Sequence, residues 1–238
     1  MVTVVRPSDE GSGAGPRTSV VLATRNPGKL AELAPLLLSF GIPLVTLADI
    51  GVEEDAQEDA LEQFDTFEAN ALAKARHFSR LTGRMVFADD SGLAVDALGG
   101  EPGVHSKRWS GRPDLTGVAL ELENNALLQR RLDEAQRGGH HSRAARYVCA
   151  AACVWPAAII APATEAVARG ETYGRILVQP TGSGGFGYDP FFFSDDLGAT
   201  FADVSRERKE RVSHRGRAFH RLVGTALVQS ALRAMAVA

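Results

Sequence analysis

Two short runs of β-branched and small apolar residues, SVVLA at 19–23 and MVFA at 85–88, each break off into a polar turn cluster. Helix-period segments separate them, and this strand–turn–helix alternation constrains the fold more than any other feature of the chain. Strands joined through helices run parallel, and the ligand crevice of such a sheet lies beyond the carboxyl ends of its strands. After the first run, Asn26 can cap a helix with Pro27 at its first position. Leu30, Leu33 and Leu37 then recur at helical spacing until Gly41 stops it. Pro35 removes a backbone donor inside that helix and predicts a kink or a displaced start.

The remaining pattern is coarser. Residues 43–50 read as a second strand, followed by an acidic segment at 53–62. Thr66 caps a helix that places Phe67, Ala71, Ala75 and Phe78 on one face and ends at Gly83. The MVFA strand is expected to terminate in Asp89-Asp90-Ser91-Gly92. Residues 115–132 predict a helix and 138–142 a loop, while 147–155, 166–169 and 173–179 predict strands of an antiparallel part of the sheet. Residues 219–235 close the chain as one amphipathic helix.

Composition sets the class. With 238 residues, 45% hydrophobic and 23% charged, the chain fits a single α/β domain and excludes a collagen-like or disulfide-dense protein. Its 29 acidic and 26 basic side chains leave a net charge of −3, without the positive excess of a polynucleotide-coating protein, so any phosphate site must be local. Cys149 and Cys153 are too few for a disulfide framework and lack zinc-site spacing, which makes a reducing cytoplasm the simplest compartment. The most apolar stretch, 148–163, is interrupted by Pro156 and Pro162 and is shorter than the ~20 residues a membrane helix needs, so no membrane association is expected. No apolar signal-peptide core follows Arg6, and Gly11, Gly13 and Gly15 between Pro7 and Pro16 make residues 1–18 a flexible tail ahead of one domain at 19–238.

Several clusters carry candidate chemistry. Thr24-Arg25-Asn26-Pro27-Gly28-Lys29 stands at a helix N-terminus, where free N–H groups and the helix dipole favour an anion such as phosphate; an ordinary capped turn fits the same residues. Two adjacent carboxylates after an apolar strand are costly unless a metal or donors meet them, although an Asx-turn also uses such residues. Alternation along the strand sends Asp89 and Asp90 to opposite faces, so one can face the crevice while backbone donors hold the other. On the Thr66 helix Asn70 and Lys74 share a face, with Glu62 just upstream, although a helical lysine usually lies in solvent. Residues 182–187, GSGGFG, match a dinucleotide-binding pattern by letter, but Pro190 and three phenylalanines follow instead of a helix, and the fingerprint is rejected. Phe186 on its flexible glycines could stack on a planar base. Lys209 and Ser213-His214-Arg215 form a basic cluster that fits either a charged helical surface or donors aimed at a ligand oxygen.

Together and in this order, ATRNPGK at 23–29, TFEANA at 66–71 with Lys74, ADDSGL at 88–93, PGVHS at 102–106, GFGYDP at 185–190 and SHRG at 213–216 resemble the Ham1-type inosine triphosphate pyrophosphatase family. The resemblance implies an elongated α/β fold around a long central mixed β-sheet flanked by helices, Mg²⁺ dependence and a homodimer. It implies cleavage of non-canonical purine nucleoside triphosphates (ITP, dITP, XTP) to the monophosphate and pyrophosphate. By position, Thr24, Arg25, Asn26, Pro27, Gly28 and Lys29 would hold the triphosphate, with Lys74 beside them, and Asp90 would be general base and metal ligand. Glu62 falls where a second metal-binding carboxylate is expected, and Ser91 would touch substrate. Phe186, Gly187, Tyr188 and Asp189 would frame the base, Lys209 would reach phosphate or base, and His214 with Arg215 would read the purine 6-oxygen. The chain departs from the family pattern at Lys107, usually a small residue, and at Ala69, usually glutamate.

This chemistry is coherent. A metal and lysines offset the charge that builds on departing pyrophosphate, and a metal-bound carboxylate can deprotonate water. Hypoxanthine and xanthine present an acceptor at position six where adenine presents a donor, a difference that hydrogen bonds can read. A non-catalytic nucleotide sensor would need the phosphate and base segments but no Asp89-Asp90 pair. Another metal-dependent phosphatase of related fold would share the carboxylates without the Ser213-His214-Arg215 reader.

Overall fold

The computed structural model describes residues 19–159 and 164–237; the expected tail at 1–18 lies outside the described residues. A seven-stranded mixed sheet runs through them in the order β2-β1-β3-β4-β5-β6-β7. The strands are β1 (Val20–Leu22), β2 (Leu44–Thr46), β3 (Val86–Val95), β4 (Ala144–Trp155), β5 (Thr164–Ile176), β6 (Phe192–Ser194) and β7 (Ala199–Thr200). β1 pairs in parallel with β2 and β3, and every later pairing is antiparallel. The helices are α1 (Pro27–Ser39), α2 (Phe67–Thr82), α3 (Gly117–Arg137), α4 (Arg206–Val212), α5 (His214–Val223) and α6 (Ala226–Val237).

Each sheet face buries its own apolar cluster. On one, Phe87, Cys149, Cys153 and Trp155 pack with Leu33 and Leu37 of α1, Phe219 of α5 and Val228 of α6. On the other, Val86, Ala88, Ala150 and Ala152 meet Phe67, Ala71, Ala75 and Phe78 of α2, the face that the helical spacing predicts. Thr66 accepts from the Ala69 amide as N-cap, and Gly83 ends α2 at φ 64°. A third cluster joins Leu128 and Leu132 of α3 to Tyr147, Phe192 and Phe201.

Several boundaries differ from the sequence reading. α1 starts where Asn26 caps it and continues through Pro35, which lies exposed, so the start is not displaced. β2 spans three residues rather than eight, because the Asp49 carboxylate accepts from the Thr46 amide and hydroxyl and turns the chain. α3 is shifted toward the C-terminus relative to the expected 115–132. The expected strands at 166–169 and 173–179 are one strand, β5. Gly170 lies within it because a Cβ there would strike the backbone of α5 at His214 and Ala218. The single closing helix expected at 219–235 is two, the end of α5 and α6, interrupted at Gly224-Thr225, and the separate helix α4 precedes them. β3 does not end at Asp89: it runs on to Val95, paired residue for residue with β4. What ends there is β1, whose last partner on β3 is Phe87. The carboxylate pair therefore sits in mid-strand, just past the place where β3 loses its parallel neighbour, and there side chains from both faces can reach it.

Candidate active site

Asp89 and Asp90 are both buried and point to opposite faces of β3. On the α1 and α5 face, Asp89 Oδ2 lies 3.0 Å from Lys29 Nζ and 3.3 Å from Arg215 Nε. Side-chain cations hold this carboxylate, where the sequence reading foresaw backbone donors. Burial alone would raise its pKa, but Lys29, Arg215 and Lys74 outweigh burial and hold it well below the usual carboxylate range. Its Oδ1 has no hydrogen-bond partner among the described residues.

On the α2 face, Asp90 Oδ2 accepts from Asn70 Nδ2 at 2.9 Å, and Oδ1 accepts from the Ser91 amide at 2.9 Å. Here burial prevails over Lys29 and Lys74, and with the added repulsion of Glu62 it raises the Asp90 pKa. Glu62 Oε1 lies 2.5 Å from Lys74 Nζ, which also donates to the Asp89 carbonyl at 2.9 Å. Burial opposes ionisation of Glu62, yet Lys74 and Lys29 bring its pKa down to about 2. Lys74 is thus a buried bridge between Glu62 and β3, not a solvated helix residue.

The turn 24–29 lies beside this pair. Thr24 Oγ1 accepts from the Asn26 amide, and Asn26 Oδ1 from the Lys29 amide. Pro27 is exposed. Gly28 is needed because a Cβ there would overlap the Phe186 ring. A cleft between this turn and the 54–62 segment is lined by Lys29, Lys74, Lys107, Glu62 and Glu58. Arg25 stands on its wall, but its side chain turns to Glu58 and to the carbonyls of Val52 and Glu53 rather than joining Lys29. Exposed Lys107 has no carboxylate within ion-pair distance among the described residues.

Beyond Asp89 the site becomes aromatic and more deeply buried. Arg215 donates to Ser91 Oγ at 2.8 Å and pairs with Glu32, which also meets Lys209 at 2.7 Å. Lys209 in turn lies 2.5 Å from Asp189. Although burial disfavours both cations, the carboxylates keep them charged, with both pKa values raised. Asp189 accepts from the Phe186 amide and from the Tyr147 hydroxyl, and so fixes the glycine-rich loop. Asn125 donates to the Gly187 carbonyl and the Tyr188 hydroxyl to that of Ser106, tying the loop to α3 and the 103–106 turn. His214 stacks on Tyr147 with ring centroids 4.5 Å apart, and its Nδ1 is buried without a partner among the described residues. Burial, then Arg215 and Lys209, hold this imidazole neutral, well below its usual range. Lys209, His214 and Arg215 are accordingly interior residues, not a charged helical surface.

One participant was missed in the sequence, and a second, Asn70, was named there without its role. Glu32 carries the ion-pair chain from α1 to α4 and α5, and its only sequence signal is its place one turn after Lys29. Asn70 links Asp90 to the backbone at Phe64, a role that needed knowledge of which face of α2 meets β3.

Comparison with known proteins identifies the family. The model of the Ham1 family matches residues 20–225. A dITP/XTP pyrophosphatase of Frankia alni is 46% identical over 205 residues, 85% of this chain and 94% of that protein. A dITP/XTP pyrophosphatase of Shigella flexneri is 44% identical over 204 residues, 86% of this chain and 95% of that protein. A solved HAM1 protein from Coxiella burnetii superposes with a TM-score of 0.71 at 33% identity, covering 86% of this chain and 95% of that one. The Mycobacterium abscessus nucleoside-triphosphatase / dITP/XTP pyrophosphatase has a TM-score of 0.63 at 41% identity, covering 87% of this chain and 98% of that one. With the family pattern matched from β1 to the end of α5, the chain belongs to the Ham1 family.

Proposed function

We propose that this protein hydrolyses non-canonical purine nucleoside triphosphates (ITP, dITP and XTP) to the nucleoside monophosphate and pyrophosphate. The observation that carries the reading is the position of Asp89, Asp90 and Ser91 between a lysine-lined cleft and a buried aromatic end. A triphosphate laid along the cleft toward Lys29, Lys74 and Lys107, with its base near Phe186 and His214, brings the α-phosphorus closest to Asp90. Kinship with dITP/XTP pyrophosphatases supports the same substrate class.

Asp90 and Glu62 offer hard carboxylate oxygens, and their mutual repulsion is of the kind a divalent cation relieves. Among the described residues no group of three His, Cys, Asp or Glu side chains is placed to hold a metal unaided. Two carboxylates completed by phosphate oxygens are a donor set that suits Mg²⁺. Bound there, Mg²⁺ would supply Lewis-acid polarisation of the phosphoryl group.

Asp90 accepts a proton from the attacking water as its oxygen bonds to the α-phosphorus, and a raised pKa suits that task. The bond from that phosphorus to the bridging oxygen breaks, and Lys29 and Lys74 offset the charge of the leaving pyrophosphate. At the other end, neutral His214 and charged Arg215 supply donors for a 6-oxygen; the exocyclic amine of adenine would leave them unpaired. The free, buried Cys149 and Cys153 suit a cytoplasmic location, and among the described residues no helix is long and apolar enough to cross a membrane. The test is a panel of nucleoside triphosphates with Mg²⁺ and chromatographic identification of products. Inosine and xanthosine substrates should yield pyrophosphate, whereas stoichiometric orthophosphate would refute the reading.

A further inference from the structure

The Arg25 side chain has a task apart from the phosphates. Its Nε and Nη2 donate to the two oxygens of Glu58 at 3.1 and 2.7 Å, a forked pair. Nη1 reaches the Val52 carbonyl and Nη2 the Glu53 carbonyl, both at 2.9 Å. Glu58 Oε1 also accepts from the Asp55 amide at 3.4 Å. One guanidinium thus gathers the beginning of an acidic segment, 53–62, that belongs to no strand of the sheet.

That segment leads through the 3₁₀ turn Ala56–Glu62 to the Glu62 carboxylate. Past Glu62, Asn70 pins the chain by accepting from the Phe64 amide and donating to the Phe64 carbonyl, and the same amide group donates to Asp90. Glu62 is therefore held between two anchors, Arg25 on one side and Asn70 on the other. The segment carries six carboxylates in ten residues, so its charges repel one another, and the contacts of Glu62 itself, with Lys74 at 2.5 Å and Arg108 at 3.4 Å, hold only its far end. A forked arginine pair fixes direction as well as distance, which a single lysine contact does not.

We propose that Arg25 is a positioning residue: through Glu58 and the carbonyls of Val52 and Glu53 it latches the acidic segment so that Glu62 keeps its place at Lys74, which ties it to β3 at Asp89. The inference rests on the proposed metal-dependent hydrolysis only for its kinetic consequence. The latch itself is a property of the substrate-free protein. Arg25 then controls how well the site takes up the divalent cation, not how it reads the base or grips the phosphates.

The test compares R25A, E58Q and the R25A/E58Q double variant with the unmodified protein by two measurements. The first is hydrogen–deuterium exchange without nucleotide or metal. Amides of 52–62 should exchange about tenfold faster in each single variant and no faster still in the double variant than in either single, while those of α1 and α5 keep their protection. The second is ITP hydrolysis titrated with Mg²⁺. The Mg²⁺ concentration for half-maximal rate should rise about tenfold, with kcat at saturating Mg²⁺ within about twofold of the unmodified enzyme. R25K, which keeps the charge without the fork, should recover only part of the Mg²⁺ affinity. Unchanged exchange in R25A and E58Q would overturn the latch. So would a raised KM for ITP at an unmoved Mg²⁺ midpoint, which would make Arg25 a phosphate contact. If the unmodified protein fails to hydrolyse ITP, the proposed function falls and the exchange comparison alone decides the latch.

Discussion

Asp89 and Asp90 are neighbours on one strand, equally deprived of water, and their carboxyl groups shift in opposite directions. The difference lies in what each sheet face brings. The α1 and α5 face gives Asp89 two side-chain cations at ion-pair distance, whereas the α2 face gives Asp90 a neutral amide and places Glu62 near it. One carboxylate thereby becomes part of an ion-pair lattice that holds the fold together. The other keeps affinity for a proton, as its proposed role as base requires. Burial by itself assigns neither role; the charge of the neighbours decides.

The largest effect should come from the reactive face. D90N keeps the shape and the Asn70 contact but removes charge and basicity, so kcat should fall at least ~10²-fold without rescue by excess Mg²⁺. Recovery at high Mg²⁺ would narrow Asp90 to metal binding, and near-normal turnover at limiting Mg²⁺ would dissolve the contrast between the faces. On the other face, D89N leaves Lys29 and Arg215 buried without their shared anion. Stability should drop by about 3 kcal/mol, roughly 10 °C in Tm, read by thermal unfolding. An unchanged Tm would mean that Glu32 alone suffices for the lattice.

A smaller effect tests the aromatic end. H214F keeps the stack on Tyr147 but removes both ring nitrogens, and should erode the preference for ITP over ATP by about tenfold in kcat/KM. The same variant has a pH signature. Because the folded-state pKa of His214 is depressed, the unfolded chain takes up its proton first as pH falls below about 6.5, so stability present above that pH is lost on acidification. H214F should be spared that part of the loss, read as a smaller fall in Tm between pH 7 and 5. An equal acid loss in both proteins would show that His214 is protonated in the fold. Smallest of all, K107A should raise KM for ITP about fivefold with kcat nearly constant, because an exposed lysine contributes modestly to binding a phosphate.

The sequence exposed some of these contrasts and hid others for physical reasons. Alternation along a strand sufficed to send the two aspartates to opposite faces, and Thr66 and Asn26 capped their helices as side-chain chemistry requires. The extent of β3 was hidden because a polar run after an apolar one looks like a strand end. Pairing with β4, 50 or more residues away along the chain, keeps Asp89 to Val95 extended. Lys74, Lys209 and Arg215 looked solvated because burial of a cation depends on partners distant in sequence, namely Glu62, Asp189, Glu32 and Asp89. Arg25 belongs to a contiguous motif, while the protein partners of its side chain lie in an acidic segment with no local pattern, so those contacts were hidden.

On the proposed reading Asp90 serves attack at the α-phosphorus, between the lysine-lined cleft and the aromatic end. Hydrolysis of ITP in ¹⁸O-enriched water, with mass analysis of both products, measures that directly. The account predicts the label in the inosine monophosphate and none in the pyrophosphate. Label in pyrophosphate, or release of labelled orthophosphate, would place the attack at the β- or γ-phosphorus and contradict it.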